Sequence, residues 1–403
     1  MSSTLFQNVT LAPRDPILGL NEQFAADPRQ DKVNLGVGVY FDEKGRLPVL
    51  ACVAEAERAL LGAGKPKGYL PIDGIAAYDR AVQGLVFGLD SAALKAGRVA
   101  TVQALGGTGG LKLGADFLAR LNPSATVLIS DPSWENHRAL FTQAGFEVAT
   151  YPYYDAATRG VRFEAMLTAL RAARAGTVVV LHACCHNPTG CDLTPAQWTE
   201  VIEACRAAGL VPFLDLAYQG FGDGIAEDGA VVQRFVEAGR PFLISTSFSK
   251  SFSLYGERVG ALSVVCDDGD EAARVLSQLK IVIRTNYSNP PTFGAQVVAT
   301  VLTTPALRQL WEQELASMRE RIRAMRQALV AGLRGAGIAA DGGQLDYITR
   351  QKGMFSYSGL SAPQMQRLRD EFGVYGVDSG RICVAALNQG NLPKVVSALA
   401  RVM

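Results

Sequence analysis

One lysine in this sequence has neighbours that favour covalent chemistry. Lys250 follows the apolar run 241–246 and stands between the hydroxyl residues Ser249 and Ser251. A lysine in a polar pocket at the end of a strand can form a Schiff base with an aldehyde, and pyridoxal phosphate is the common aldehyde cofactor. An ordinary surface lysine is the alternative. Ser247 and Lys250 also have the Ser-x-x-Lys spacing of acyl enzymes, but the companion motifs Ser-Asp-Asn and Lys-Thr-Gly are absent from the sequence.

Two further features could bind the phosphate of such a cofactor. The hydroxyl groups of Ser247 and Ser249 and the guanidinium fork of Arg258 lie close to Lys250 in the sequence. The glycine-rich segment 105–110 joins a predicted strand to a predicted helix, where backbone amides and the helix start favour an anion. This segment is neither a Walker A sequence nor GxGxxG, because Lys112 occupies the last glycine position. A tight turn is the alternative.

Polar side chains follow three other predicted strands. Asp215 ends an apolar run and would keep a pyridinium nitrogen protonated, while Tyr218 could reach the ring oxygen. Asn187 could donate its amide to the same oxygen, Trp134 could stack on a planar cofactor, and His137 could donate to Asp215. The structural alternatives are an N-cap aspartate with a packing tyrosine, an Asn-Pro turn, and a core tryptophan and histidine.

Short apolar runs alternate with segments of helical period, which predicts an α/β fold with a largely parallel sheet. We predict strands at 99–105, 126–129, 177–183, 210–216, 242–245 and 260–266, and helices at 111–120, 134–144, 163–172 and 195–208. A long charged helix, interrupted at most once, is predicted from 305 to 334, and a final helix at 395–402. The last 80 residues or so would form a smaller α+β domain.

Composition limits the classes of function. The chain has 403 residues, a net charge of +1, no basic stripe and no apolar run that could span a membrane, so we expect no nucleic-acid or membrane partner. The N-terminus lacks the regions of a signal peptide, which indicates an intracellular, cytoplasmic protein. Seven cysteines argue against a disulfide framework. Alternation would place His182, Cys184 and His186 on one side of a strand, but buried structural cysteines are favoured and no metal is expected.

Taken together, these motifs resemble the class I pyridoxal phosphate-dependent aminotransferases, in the aspartate and aromatic amino-acid branch. The resemblance extends from residue 13 to Arg381 and is most specific at 184–190, 215–221, 247–250 with Arg258, and 286–291. It implies a fold-type I architecture: a large domain (48–319) with a mostly parallel seven-stranded sheet covered by helices, a small α+β domain (14–47 with about 320–403), and an N-terminal arm (1–13) that contacts a partner subunit. It also implies a homodimer with shared active sites.

The resemblance assigns a role to individual residues. Lys250 would be the Schiff-base lysine and proton shuttle, Arg381 would bind the substrate α-carboxylate, and Arg284 of the other subunit would meet a distal carboxylate. The remaining cofactor contacts would be Gly107, Thr108, Trp134, Asn187, Asp215, Tyr218, Ser247, Ser249 and Arg258, with Tyr69 from the other subunit. Gly38, Trp134, Asn187 and Phe355 would contact substrate, and His137 would support Asp215.

The implied reaction moves the amino group of aromatic amino acids and aspartate to 2-oxoglutarate by a ping-pong mechanism. Phe41 and Leu47 are apolar where aspartate-specific members usually have Lys and Thr, which favours aromatic substrates; Glu135 replaces a common Pro and has no explanation. The alternatives are a strictly aspartate-specific aminotransferase, a lyase with the same cofactor, and a ligand-sensing domain without turnover.

Overall fold

In the computed structural model, the described residues are 4–12, 15, 17–338 and 345–403. The helices are α1 Leu18–Ala26, α2 Ala51–Gly62, α3 Ala76–Phe87, α4 Ala92–Lys95, α5 Gly106–Leu121, α6 Glu135–Gln143, α7 Phe163–Ala172, α8 Pro195–Ala207, α9 Ile225–Glu237, α10 Gly269–Asn286, α11 Phe293–Thr303, α12 Pro305–Gly335, α13 Asp346–Arg350, α14 Ala362–Phe372 and α15 Leu392–Val402. The strands are β1 Val33–Asn34, β2 Val99–Leu105, β3 Thr126–Asp131, β4 Glu147–Pro152, β5 Tyr154–Asp155, β6 Gly160–Val161, β7 Val178–His182, β8 Val211–Leu216, β9 Phe242–Ser247, β10 Val259–Val265, β11 Phe355–Tyr357, β12 Val374–Tyr375 and β13 Arg381–Cys383.

A seven-stranded sheet forms the centre of the fold, in the order β2-β10-β9-β8-β7-β3-β4. Strand β10 is antiparallel to both of its neighbours, and the other adjacent pairs are parallel. The predicted mostly parallel seven-stranded sheet is therefore confirmed. Strand β4 was absent from the strands predicted by pattern, because its sequence Glu-Val-Ala-Thr-Tyr-Pro lacks a continuous apolar run and lies at the sheet edge.

Alternate residues of the central strands supply two separate hydrophobic cores. Val178 and Val180 of β7 belong to the core beneath α5, whereas Val179 and Leu181 belong to the core on the opposite face. This division follows from the alternation of side chains along a strand. Because both faces are covered, most of the strands read as apolar runs. Polar residues inside the sheet are hydrogen-bonded, as in the contact of Thr101 with Ser263 at 2.9 Å.

Smaller sheets join distant parts of the chain. Strand β1 pairs in parallel with β12, and β11 pairs with β13. The segment around residue 33 thus contacts the C-terminal part of the chain. The domain division stays a prediction. Residues 1–3 and 13 of the predicted arm, and 14, 16 and 339–344 of the predicted small domain, lie outside the described residues.

Helix α12 is continuous over 31 residues, so the predicted long helix has no interruption. It begins with a proline at its first turn, where a missing N–H costs nothing. Trp311 near its start donates to the carbonyl of Ser251 at 2.8 Å. Arg326, further along, donates to the carbonyls of Ile348 and Gly353, each at 2.9 Å. Among the described residues, no helix is both long and apolar enough to cross a membrane.

Candidate active site

The ends of the parallel strands open into a cavity of about 720 Å³. Most of the residues that the sequence singled out meet here, although they come from distant parts of the chain. The predicted site residues that line the cavity are Gly38, Gly107, Thr108, Trp134, Asn187, Asp215, Tyr218, Ser247, Ser249, Lys250, Arg258, Phe355 and Arg381. Ligand sites of open α/β sheets form at this edge, because loops leave the strands there in opposite directions.

An anion cradle forms where β2 meets α5. The glycine-rich segment is the first turn of α5, which begins at Gly106, five residues before the predicted start. Gly106 has φ +69°, and a Cβ at this position would lie 2.5 Å from Nη2 of Arg258. Arg258 donates through Nη1 to the carbonyl of Tyr255 at 2.9 Å and lies 3.4 Å from Oγ of Ser249. A free helix start, a guanidinium and serine hydroxyls fit a phosphate group.

Asp215, near the end of β8, is hydrogen-bonded to a buried histidine. Oδ2 of Asp215 lies 3.0 Å from Nε2 of His137, whose Nδ1 lies 2.9 Å from Oγ of Ser133. Burial alone would raise the pKa of Asp215, but the hydrogen bond and charge of His137 together hold this pKa below its ordinary value. Asp215 is thus a carboxylate facing the cavity and is part of β8, not a helix N-cap. It fits a protonated ring nitrogen.

Lys250 lies three residues beyond the end of β9, and its Nζ is 4.9 Å from the centre of the Tyr218 ring. Burial lowers the pKa of Lys250 from 10.5 to about 8, against the opposing effect of the Asp215 charge. An amine with this pKa is partly neutral at physiological pH, which is the form that attacks an aldehyde. Burial raises the pKa of the Tyr218 phenol above its ordinary value, so this side chain is a hydrogen-bond donor.

Arg381 in β13 is almost fully buried, with 1% of its surface exposed. It donates to Oδ1 of Asn187 at 3.1 Å and to the carbonyl of Gly36 at 2.8 Å, and its guanidinium lies 4.4 Å from the centre of the Phe355 ring. Its Nε is buried without a hydrogen-bond partner among the described residues. A buried cation without a carboxylate partner fits an anionic substrate group. Gly38 is required here, because a Cβ would lie 2.8 Å from the Phe355 ring.

Three predicted site residues do not line the cavity: His137, which lies behind Asp215, and Tyr69 and Arg284, which were assigned to a second subunit. Tyr69 is 97% exposed, and Arg284 is exposed near the end of α10. One chain alone does not bring Tyr69 or Arg284 to Lys250. The apolar residues Phe41 and Leu47 do not line the cavity either.

The proposed alternation of His182, Cys184 and His186 on one strand is wrong. Strand β7 ends at His182, so the chain turns before Cys184. The cysteine instead lies with Cys185 and Asp228 in a buried group whose ligand atoms are within 4.8 Å. This group fits a metal poorly, because Asp228 already accepts three backbone N–H bonds at 2.8 Å and burial raises the pKa of Cys185 to about 12.

Sequence analysis missed several residues of the cavity. Tyr255 lines it and accepts the backbone N–H of Tyr40 through its hydroxyl at 2.9 Å; its position between Lys250 and Arg258 was the available signal. His182, considered only as a metal ligand, also lines the cavity, and burial lowers its pKa to about 3. Glu135, which had no assigned role, is a further lining residue.

Comparison with known proteins identifies the family to which the chain belongs. Residues 30–399 match the model of the family "Aminotransferase class I and II". The chain is 61% identical over 400 residues to the aspartate aminotransferase of Pseudomonas aeruginosa, covering 99% of this chain and all of the relative. It is 54% identical over 402 residues to the tyrosine aminotransferase of Klebsiella pneumoniae, with coverage of 99% and 100%.

A solved structure is similar over the same length. The aromatic-amino-acid aminotransferase of Burkholderia pseudomallei, covalently bound to pyridoxal phosphate, superposes with a TM-score of 0.96 at 64% identity and covers 99% of this chain and 100% of its own. The chain therefore belongs to the class I and II aminotransferases. Within that class it is a pyridoxal phosphate-dependent enzyme of the aspartate and aromatic amino-acid branch, as the sequence motifs indicated.

Proposed function

We propose that this enzyme transfers the amino group of tyrosine, phenylalanine and aspartate to 2-oxoglutarate in two half-reactions at one site. The observation that carries the proposal is the buried guanidinium of Arg381, which faces the same cavity as Lys250. An α-carboxylate held by Arg381 would place the substrate amino group and Cα beside Lys250. The names of the relatives, aspartate and tyrosine aminotransferase, support the range of substrates.

Each side chain has a separate task in this proposal. The bound cofactor supplies an electron-poor ring that accepts electrons from the substrate Cα. Asp215 stabilises a proton on the ring nitrogen, and His137 holds Asp215 in place and ionised. Nζ of Lys250, with its lowered pKa, would remove the proton from the substrate Cα and would later donate it to a carbon of the cofactor. Tyr218 and Asn187 would donate to the ring oxygen, and Arg258 with the start of α5 would hold the phosphate.

The same proposal includes a homodimer in which each copy completes the site of the other. Tyr69 and Arg284 are exposed and remote from the cavity of their own chain. The N-terminal segment also presents exposed apolar side chains, with Leu5 88%, Phe6 73% and Leu11 100% exposed, and a second copy would cover them. We also propose a cytoplasmic location, since all seven cysteines are free thiols.

Mixed dimers test the shared site. Arg284→Ala and Lys250→Ala proteins should each be inactive towards aspartate. After mixing and subunit exchange, a heterodimer would contain one intact site, so part of the activity should return. If exchange is shown independently and no activity returns, Arg284 does not act across the interface.

A substrate panel tests the reaction itself. Steady-state rates with 2-oxoglutarate should show turnover of tyrosine, phenylalanine and aspartate, with the aromatic substrates at least comparable to aspartate. Brisk aspartate turnover without aromatic turnover would favour the aspartate-specific alternative, and pyruvate with ammonia as products would favour a lyase. The double variant Phe41→Lys, Leu47→Thr should lower aromatic use more than aspartate use if these residues contribute from the second copy.

A further inference from the structure

The first turn of α5 is attached to the sheet by a side chain that lies outside the cavity. Oγ of Ser245, in β9, donates to the carbonyl of Gly107 at 2.8 Å. Ser245 is completely buried within its own chain, so this contact depends neither on a second copy nor on a bound molecule. Within the described residues, it is the one side-chain hydrogen bond to the backbone of residues 106–110.

A glycine allows the helix to come this close to the sheet. A Cβ at Gly110 would lie 2.5 Å from Oγ of Ser245 and 2.8 Å from the carbonyl oxygen of Ala261. The same glycine-rich sequence has a cost, because four glycines in the first five residues of α5 favour many backbone conformations over one helical turn. A hydrogen bond from the sheet therefore has a turn of low intrinsic stability to hold in place.

The carbonyl of Gly107 and the N–H of Thr108 belong to the same peptide group. This group is trans and planar, so its C=O and N–H point in opposite directions. Holding the carbonyl towards β9 directs the N–H of Thr108 to the open start of the helix, where the N–H groups have no helical partner. Thr108 lines the cavity together with Arg258. A hydrogen bond accepted by the carbonyl also polarises the peptide group, which makes its N–H a stronger donor.

We propose that Ser245 is a positioning residue for the cofactor phosphate, and that it acts by fixing the peptide group that presents the N–H of Thr108. This inference rests on the proposed function, in which the phosphate lies at the start of α5. The alternative is a buried hydroxyl that only satisfies its own need for a partner. Removing such a hydroxyl would lower stability but would not discriminate between ligands with and without a phosphate.

The experiment measures the Kd of the complete chain, after removal of the cofactor, for pyridoxal phosphate and for pyridoxal, which lacks the phosphate. Ser245→Ala removes the donor, and Ser245→Cys keeps a weaker one. Ser263→Ala is the matched control. Ser263 is also completely buried and bonds to Thr101 at 2.9 Å, but it lies in β10 on the face of the sheet opposite α5. Arg258→Gln tests the phosphate site itself, and thermal unfolding verifies that each variant is folded.

The expected signature is a loss of selectivity for the phosphate. In Ser245→Ala the Kd for pyridoxal phosphate should rise about 3- to 10-fold, the range for one lost hydrogen bond, while the Kd for pyridoxal should stay the same. Ser245→Cys should lie between Ser245→Ala and wild type, and it carries the test by itself if Ser245→Ala does not fold. Ser263→Ala should leave both constants unchanged even where it lowers the Tm.

An unchanged ratio of the two constants in Ser245→Ala overturns the inference, whether both constants stay the same or both rise together. An equal loss of selectivity in Ser263→Ala also overturns it, because the effect would then follow from the removal of any buried hydroxyl. If Arg258→Gln leaves the ratio unchanged, the phosphate does not lie at the start of α5 and the proposed site itself is refuted. The failure of the inference and the failure of the proposed site are therefore distinguishable.

Discussion

The acidity of Lys250 provides the sharpest test of the site. Its pKa is displaced from 10.5 to about 8, which corresponds to about a 300-fold loss of proton affinity, or about 3 kcal/mol. At about pH 7.5, about a quarter of the side chains are therefore neutral, against about one in a thousand for a lysine with the ordinary pKa. Asp215 opposes this displacement and Arg258 adds to it. We thus expect Asp215→Asn to lower the pKa of Lys250 further and Arg258→Gln to raise it.

Competitive acetylation of the cofactor-free protein can measure this pKa. Trace amounts of acetic anhydride are added between about pH 6 and 11, and peptides are quantified by mass spectrometry, with the exposed Lys65 as internal reference. The labelling midpoint of Lys250 should lie near 8 and should move in opposite directions in the two variants. A wild-type midpoint near 10.5, or an upward shift in Asp215→Asn, would refute the argument that burial and these two charges set the reactivity of the lysine.

Two other predictions follow from close contacts in the site. Arg381→Lys should raise the KM for amino acids by about 100-fold, because a single ammonium cannot replace a guanidinium that contacts Asn187 and Gly36 and also binds a carboxylate. Steady-state kinetics with aspartate measures this KM. An unchanged KM would contradict the role of Arg381 in binding the substrate carboxylate. Gly106→Ala should weaken cofactor binding by at least about tenfold, because the added Cβ would lie 2.5 Å from Arg258 and the backbone has φ +69°. Equilibrium titration with pyridoxal phosphate measures the Kd. An unchanged Kd would show that the anion site tolerates the methyl group.

The features that could be predicted from the sequence are those that depend on a local pattern of apolar and polar residues. The continuous apolar runs predicted the buried strands β2, β3 and β7 to β10, and the polar residues beyond them predicted where a ligand would bind. Strand β4 was not predicted, because a strand at the edge of a sheet needs no continuous apolar run. The start of α5 was predicted five residues too late. Residues 106–110 include four glycines and have low helical propensity, which packing on the sheet overrides.

Contacts between distant segments could not be predicted from local pattern. Nothing near Glu135 in the sequence indicates that this residue lines the cavity, since this depends on which segments the fold brings together. The hydrogen bond between Arg381 and Asn187 joins residues 194 positions apart. Likewise, the turn after His182 ended the alternation on which a metal hypothesis depended, and only the register of β7 with β8 shows where that turn begins.

The continuous helix α12 has a mechanical consequence. Near its start, Trp311 stacks on Phe252, two residues after Lys250, with ring centres 4.8 Å apart. Further along, Arg326 anchors the backbone around Gly353, next to the strand that carries Phe355. At about 1.5 Å per residue, the helix holds these anchors about 22 Å apart. A helix of this kind hardly stretches or shortens, so it works as a spacer between the segment that carries Lys250 and the cavity wall that carries Phe355. A relative movement of these two parts must therefore be a rotation that leaves the distance between the two anchors unchanged.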